Sequence, residues 1–167
     1  MMPISGVLAD TMDSQDAVRE SRQAADFTAI AQLSDAQVDE LYQLYQREWW
    51  SQGRQPDDIC RMLAHSDEVF GFCEPRTGRL VAFARVLTDY VYRATVYDVI
   101  VAKSCRGSGL GRRLVEAIVS CPQLQSVERI QLDCRPELVE FYAKWGFHET
   151  QLSLHTLVRS QTCEQPN

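Results

Sequence analysis

Hydrophobic positions along the chain keep two rhythms, and each change of rhythm marks a new element. Thr28 to Leu33 reads as a first short strand. Val38, Leu41, Tyr42, Tyr45 and Trp49 then recur at the three- and four-residue spacing of one helical stripe. Ser34-Asp35-Ala36-Gln37 stands ahead of them with the spacing of a capping box. Gly53 and Pro56 interrupt, and Pro56 to His65 reads as a shorter helix with Ile59, Met62 and Leu63 apolar. From Glu68 the period falls to two. Glu68–Cys73, Arg79–Leu87 and Thr95–Ala102 read as strands, the first two joined by a turn at Pro75-Arg76-Thr77-Gly78. In the middle strand Leu80, Ala82, Ala84 and Val86 lie on one face, with Val81, Phe83 and Leu87 on the other. A strand apolar on both faces predicts a central position covered from both sides.

Helical spacing returns after a glycine-rich turn at Arg106–Gly111, with Leu110, Leu114, Ala117, Ile118 and Cys121 in phase, and Pro122 ends it. Val127–Cys134 reads as a further strand. Pro136 opens a helix carrying Leu138, Phe141, Tyr142 and Trp145, Gly146 stops it, and Phe147–Val158 reads as a last strand. The order β-α-α-β-β-β-α-β-α-β predicts an α/β (α+β) fold, a mixed sheet with helices on both faces.

Length and composition narrow this further. A chain of 167 residues is the size of one domain and buries ~70% of its unfolded surface. Residues 1–26 read as a flexible lead-in, 27–159 as the domain and 160–167 as a polar tail. Seventeen Lys and Arg against 23 Asp and Glu leave a net charge of −6. That charge disfavours nucleic acid and anionic membrane surfaces, which need a basic face. The lead-in lacks the composition of a signal or transit peptide, and no apolar run reaches the ~20 residues of a membrane span. Cys60, Cys73, Cys105, Cys121, Cys134 and Cys163 form no CxxC pair, so no metal site is expected and reduced thiols in a cytoplasmic protein are.

The chemistry concentrates at Arg106-Gly107-Ser108-Gly109-Leu110-Gly111-Arg112. Glycines between a strand and a helix let the backbone approach a ligand, and the helix start adds partial positive charge. The pair suits a pyrophosphate, and Arg106, Arg112 and Arg113 add cationic groups. A dinucleotide fingerprint counted from Gly107 fails at Arg112, and a P-loop fails for want of Gly-Lys-Ser/Thr. The pattern that fits is R-x-x-G-x-G, on Arg106, Gly109 and Gly111.

A second segment, Glu140-Phe141-Tyr142-Ala143-Lys144-Trp145-Gly146-Phe147, completes a pattern with that turn and the strand Asp98-Val99-Ile100-Val101. Over roughly Thr28 to Val158 the chain resembles the GCN5-related N-acetyltransferase (GNAT) superfamily. The resemblance implies a mostly antiparallel sheet splayed between its fourth and fifth strands, with acetyl-CoA in the opening. It implies that Val99, Ile100 and Val101 hold the pantetheine arm, with the Val101 N–H, or a neighbour's, polarising the thioester carbonyl. Arg106, Gly107, Ser108, Gly109, Leu110, Gly111 and Arg112 would hold the pyrophosphate, and Tyr142 would sit beside the sulfur as general acid. One position departs: many members carry Asn seven residues before that Tyr, and here it is Arg135.

Aminolysis of a thioester needs a base, because an alkylamine is protonated below ~10.4. Asp98 is the leading candidate, with three readings open: base, anchor for the substrate ammonium, or ion-pair partner of an arginine such as Arg85. Glu48 and Tyr97 rank below it. Trp49, Trp50, Tyr97 and Asp98 are the expected acceptor-binding residues, with Tyr90 and Tyr92 nearby, and they suit a small cationic or aromatic amine. Cys105 and Cys134 allow an acetyl-cysteine route, but no His among His65, His148 and His155 is placed to activate them, so direct transfer in a ternary complex is expected. The expected partners are acetyl-CoA and an amine, in a monomer or homodimer. The alternatives are acetylation of a protein lysine or N-terminus, and a non-catalytic acyl-CoA-binding module.

Overall fold

A computed structural model of the protein describes residues 27–150. Its elements run β1 (Thr28–Ile30), α1 (Asp35–Tyr45), α2 (Pro56–Ala64), β2 (Glu68–Cys73), β3 (Leu80–Thr88), β4 (Arg93–Val101), α3 (Leu110–Val119), β5 (Arg129–Leu132) and α4 (Val139–Ala143). Short 3-10 turns at Lys103–Cys105, Pro122–Leu124 and Pro136–Leu138 join the later ones. The strands form one sheet in the order β1-β2-β3-β4-β5. The first four pair antiparallel, and β5 joins β4 in parallel.

Its all-apolar sequence puts β3 at the centre, where Leu80 to Ala84 are fully buried. Alternation sends its neighbours to opposite faces. On one face Phe83 meets the ring of Tyr45 from α1 edge-on, centroids 6.4 Å apart. Ala82, one residue away, faces the other side beside Phe72, and there Arg113 of α3 lies 4.5 Å over the Phe72 ring. Helices therefore cover both faces, as the sequence predicts.

The capping box forms: the Ser34 hydroxyl accepts from Gln37 N–H, and the Gln37 side chain accepts from Ser34 N–H. The helix it starts is shorter than the apolar stripe. It stops at Tyr45, whose carbonyl accepts from the buried Ser51 hydroxyl at 2.8 Å. Trp49 falls beyond that end and is 71% exposed, although its spacing predicts a core position. The helix expected from Pro136 begins as a 3-10 turn and is helical only from Val139 to Ala143. Of the expected last strand, Phe147 to Thr150 are not strand, and 151–158 lie outside the described residues with His155, Cys163, the lead-in and the tail.

Two irregularities shape the site. The first is a bulge. Phe83 pairs with Ile100 and Arg85 with Tyr97, so Asp98 and Val99 together face Ala84. Asp98 takes φ +58°, in the left-handed region. The second is the end of pairing with β5. The parallel ladder runs only from Arg93–Arg129 to Val96–Leu132. Beyond it, among the described residues, Tyr97 to Val101 have a strand neighbour on the β3 side alone, which is the splay between the fourth and fifth strands.

Candidate active site

At the splay, β4 turns a row of backbone groups into open space. Ala102 N–H donates to Val81 C=O at 2.8 Å across the β3 side. In an antiparallel ladder the next residue points the other way, so Val101 directs its N–H and C=O into the opening. Its carbonyl accepts there from Arg106 Nε at 3.1 Å.

The chain then crosses to the glycine turn. Gly107 and Gly109 take φ +79° and +83°, and Gly109 is the residue from which α3 starts. A side chain at either would be strained whatever room it had. The first helical hydrogen bond on this end runs from Arg113 N–H to Gly109 C=O, which leaves the N–H groups of Leu110, Gly111 and Arg112 without intrahelical acceptors. Ser108 anchors the turn by donating its hydroxyl to Cys105 C=O. Arg112 is exposed beside these donors. Arg113 is not: it leans back over Phe72 and donates to Phe27 C=O, so it adds nothing to the cradle.

Tyr142 approaches from α4. Phe141 lies so near α3 that a Cβ built on Gly111 would sit 3.6 Å from its ring tip. The helix bearing Tyr142 therefore leans on the helix that opens the glycine turn. The Tyr142 ring is buried against Phe141 and Phe147. Burial, and secondarily the neighbouring Cys134, push its phenol up to about 12. Among the described residues its hydroxyl has no hydrogen-bond partner. Burial, with the charge of Asp133 next, also raises the Cys134 thiol, so it is no ready nucleophile. Arg135, standing where Asn is usual, pairs with Glu137 at 3.2 Å on the exposed surface.

On the α1 face Asp98 is the hub of an ion cluster. Its side chain is 4% exposed and receives Arg85 Nε at 2.6 Å and Arg54 through both terminal nitrogens at 2.9 and 3.1 Å. Tyr45 donates its hydroxyl to the same carboxylate at 3.0 Å. Burial alone would push the carboxyl up; the hydrogen bonds and charges of Arg54 and Arg85 outweigh it and hold it below the usual carboxylate range. Burial and the Asp98 charge push the Tyr45 phenol well above its ordinary value. A carboxylate so held takes up no proton near neutral pH. The geometry fits the ion-pair reading of Asp98 rather than the base.

Glu48 stands closer to the chemistry. It accepts from Arg106 Nη2, while Nε of that guanidinium is on Val101 C=O. One guanidinium thus spans from Glu48 to the backbone expected to meet the thioester. Trp50 stacks edge-on to Tyr45, with Arg54 over its ring at 5.5 Å, and Tyr97 carries Arg85 over its ring at 4.8 Å. Trp50 and Tyr97 therefore lie on the exposed rim of one cluster, on the loop after α1 and on β4, while Trp49, next to Trp50 in the chain, is 71% exposed. Tyr90 and Tyr92 do not join it. They sit in the turn ahead of β4, beyond the ~16 Å of strand that separates Arg93 from Asp98. Sequence reasoning missed Arg54 and Ser51, because loop residues carry no periodic signal.

A splayed sheet with orphan N–H groups at a helix start is the framework of an acyltransferase that takes its acyl group from a pyrophosphate-bearing thioester. The model of the Acetyltransferase (GNAT) family matches residues 36–147, and the chain belongs to that family. It is similar to "Serotonin N-acetyltransferase 2, chloroplastic" of Oryza sativa subsp. japonica, 41% identical over 96 residues. That match covers 56% of this chain and 48% of the rice protein, so the chain spans about half the rice protein's length. It is 28% identical to "GCN5-related N-acetyltransferase 1, chloroplastic" of Arabidopsis thaliana over 87% of this chain and 85% of that one. Among solved structures, a protein of Xanthomonas campestris pv. campestris assigned to the GNAT family superposes with a TM-score of 0.68 at 26% identity, over 78% of this chain and 93% of the other. The family works with acetyl-CoA. Among the described residues no group of three or more His, Cys, Asp or Glu could hold a metal ion, and no helix is long and apolar enough to cross a membrane.

Proposed function

We propose that this N-acetyltransferase moves the acetyl group of acetyl-CoA directly to the primary amine of a small aromatic molecule. The observation that carries the reading is the open stretch Tyr97–Val101 leading into the glycine turn at the start of α3, with Tyr142, its hydroxyl unpartnered among the described residues, on the helix that leans on α3. The orphan N–H groups of Leu110 to Arg112 suit the pyrophosphate, with the backbone of Arg106 to Gly109 around it. Val99, Ile100 and Val101 suit the pantetheine arm, and the Val101 N–H is the donor for the oxyanion.

The amine nitrogen forms its bond to the carbonyl carbon and sheds a proton, which Glu48 accepts. The C–S electron pair returns to sulfur. The thiolate leaves against the Tyr142 hydroxyl and then takes a proton from solvent. Asp98 fixes Arg54, Arg85 and the bulge, and so shapes the acceptor wall without exchanging a proton. Trp49, Trp50 and Tyr97 favour an aromatic acceptor. The excess of arginine over carboxylate around Asp98 does not favour an additional cation.

The test is free-thiol release from acetyl-CoA with a panel of primary amines and lysine peptides. Release with small amines supports the reading. Release with peptides alone would assign the activity to protein acetylation. Binding of acetyl-CoA with release by neither would leave an acyl-CoA-binding module.

A further inference from the structure

The cluster around Asp98 does not balance its charge. Arg54 and Arg85 both end on one carboxylate, and among the described residues neither guanidinium has a second acid. Glu48, on the loop after α1, is engaged by Arg106, and Glu40 of α1 accepts from Leu80 N–H. The arginine side chains are only 29% and 12% exposed. A cation this far removed from water is ordinarily matched by an anion. Arg85 uses Nε alone on Asp98. Among the described residues its two terminal nitrogens have no acceptor, and their donors are free for a planar or tetrahedral oxyanion.

The position matters as much as the charge. Arg85 and Tyr97 face each other across the last ladder pair before the bulge. From there β4 runs unpaired on its β5 side to Val101. The surplus charge therefore lies on the α1 face, within a few residues of the backbone that would hold the thioester. The glycine turn has its own exposed cationic group in Arg112. The rim of the surplus is aromatic, with Trp50 beneath Arg54 and Tyr97 beneath Arg85. Stacked guanidiniums keep their planes fixed, which suits them to an oxyanion of defined orientation.

We propose that the acceptor amine carries a second, anionic group, a carboxylate or phosphate, which binds the guanidiniums of Arg85 and Arg54 between Trp50 and Tyr97. This rests on the N-acetyl transfer reading above and adds the substrate class to it. The anion fixes the acceptor's position, so its nitrogen is held toward the carbonyl carbon.

Two pairs of probes test it and separate the two anions. L-Phenylalanine differs from 2-phenylethylamine by a carboxylate, and O-phosphoethanolamine differs from ethanolamine by a phosphate. The charged member of at least one pair is expected to exceed its neutral counterpart at least tenfold in kcat/KM, and the pair that shows it names the anion. That preference is expected to fall about tenfold, or ~1.4 kcal/mol, in Arg85→Gln and in Arg54→Gln, and less in Arg85→Lys. Should these variants fail to fold, the wild-type protein still decides. 3-Phenylpropionate or inorganic phosphate, whichever matches the favoured pair, is expected to compete with the amine and not with acetyl-CoA. Neutral amines or a neutral lysine peptide accepted as well as the charged amines would overturn the inference and leave acetyl transfer standing. So would an unchanged preference in folded Arg85→Gln and Arg54→Gln. Transfer to no member of either pair would overturn this inference; thiol release with any other amine would leave acetyl transfer standing, and release with none, with acetyl-CoA bound, would overturn both.

Discussion

Replacing Tyr142 with Phe removes one hydroxyl and keeps the ring between Phe141 and Phe147. Among the described residues that hydroxyl has no partner, so its loss orphans nothing and the fold is expected to be as stable at neutral pH. The phenol, raised to about 12, stays protonated through the working range. It lies ~3.5 units above a simple thiol near ~8.5, so handing over its proton completely would be uphill by ~4.8 kcal/mol. Tyr142 therefore acts by donating a hydrogen bond to sulfur as charge develops there. Losing a hydrogen-bond donor to developing charge costs ~10²–10³ in rate, or ~2.7–4 kcal/mol of barrier. The expected result is a fall in kcat of that size with little change in KM for acetyl-CoA, read by thiol release. The loss should shrink with an acyl donor whose thiol is more acidic. A second readout uses stability. The folded-state value lies above the ordinary 10.0, so the protonated phenol is favoured in the fold. That preference contributes fully below pH 10 and is lost as pH rises toward 12. Its size is ~2.7 kcal/mol for two units. Wild type should lose about that much more than Tyr142→Phe over this window in urea titrations. Tyr45, present in both proteins, cancels in the comparison. Wild-type kcat in the variant, or equal alkaline loss in both proteins, would refute the reasoning.

Three more perturbations read other parts of the site. Gly109→Val puts a branched side chain at φ +83° on the face expected to meet pyrophosphate; acetyl-CoA at ~100 times its wild-type Kd should stabilise wild type by ~2.7 kcal/mol in thermal unfolding and the variant hardly at all. Glu48→Gln frees Arg106 from its ion pair, so calorimetry should find acetyl-CoA bound as tightly or more tightly. Amine transfer should fall ~10²–10⁴-fold near neutral pH and recover as pH rises toward the pKa of the amine. Asp98→Asn leaves two arginines around a neutral amide, so Tm should drop sharply, by the equivalent of ~2–4 kcal/mol after allowance for the partial exposure of Arg54. The lowered pKa of Asp98 fixes the sign in acid: its stabilisation is present above the ordinary carboxylate range and fades as pH falls through and below it.

Where local rules and tertiary contacts agree, the elements follow from sequence alone. Ser34 and Gln37 cap α1 with their own side chains, the apolar run Leu80–Ala84 has no place but mid-sheet, and Gly107 and Gly109 take the left-handed conformations that glycines supply. The apolar stripe misleads where a tertiary contact cuts it short. Trp49 is in phase with Tyr45, yet the Ser51 hydroxyl takes the Tyr45 carbonyl and the chain leaves the helix before Trp49 is reached. Periodicity records which side chains could share a face; it carries no information about where the backbone finds another partner.

The site was legible in part for the same reason. Its cofactor half is made of backbone, and backbone conformation is written in glycines, so Arg106–Gly111 announces itself. Its acceptor half is made of side chains that meet only after the sheet and loop have formed. Simple alternation sends Asp98 to the face opposite Val99, and nothing in that alternation foretells a bulge, because the extra residue shows only against the register of β3. Asp is among the residues that tolerate φ near +58°, at a cost of ~1–3 kcal/mol for a strained position. Here three side chains hold the carboxylate in place through four hydrogen bonds. Arg54 comes from the loop after α1, Arg85 from β3 and Tyr45 from α1, so the bulge is locked by the elements that border the acceptor wall. The consequence is mechanical. A change at Asp98 loosens the bulge, the two guanidiniums and the line of Val99 to Val101 together, so effects of mutations at Asp98, Arg54 and Arg85 should be strongly non-additive. Once Asp98 is replaced, a further change at Arg85 should cost much less than it does in the wild-type protein.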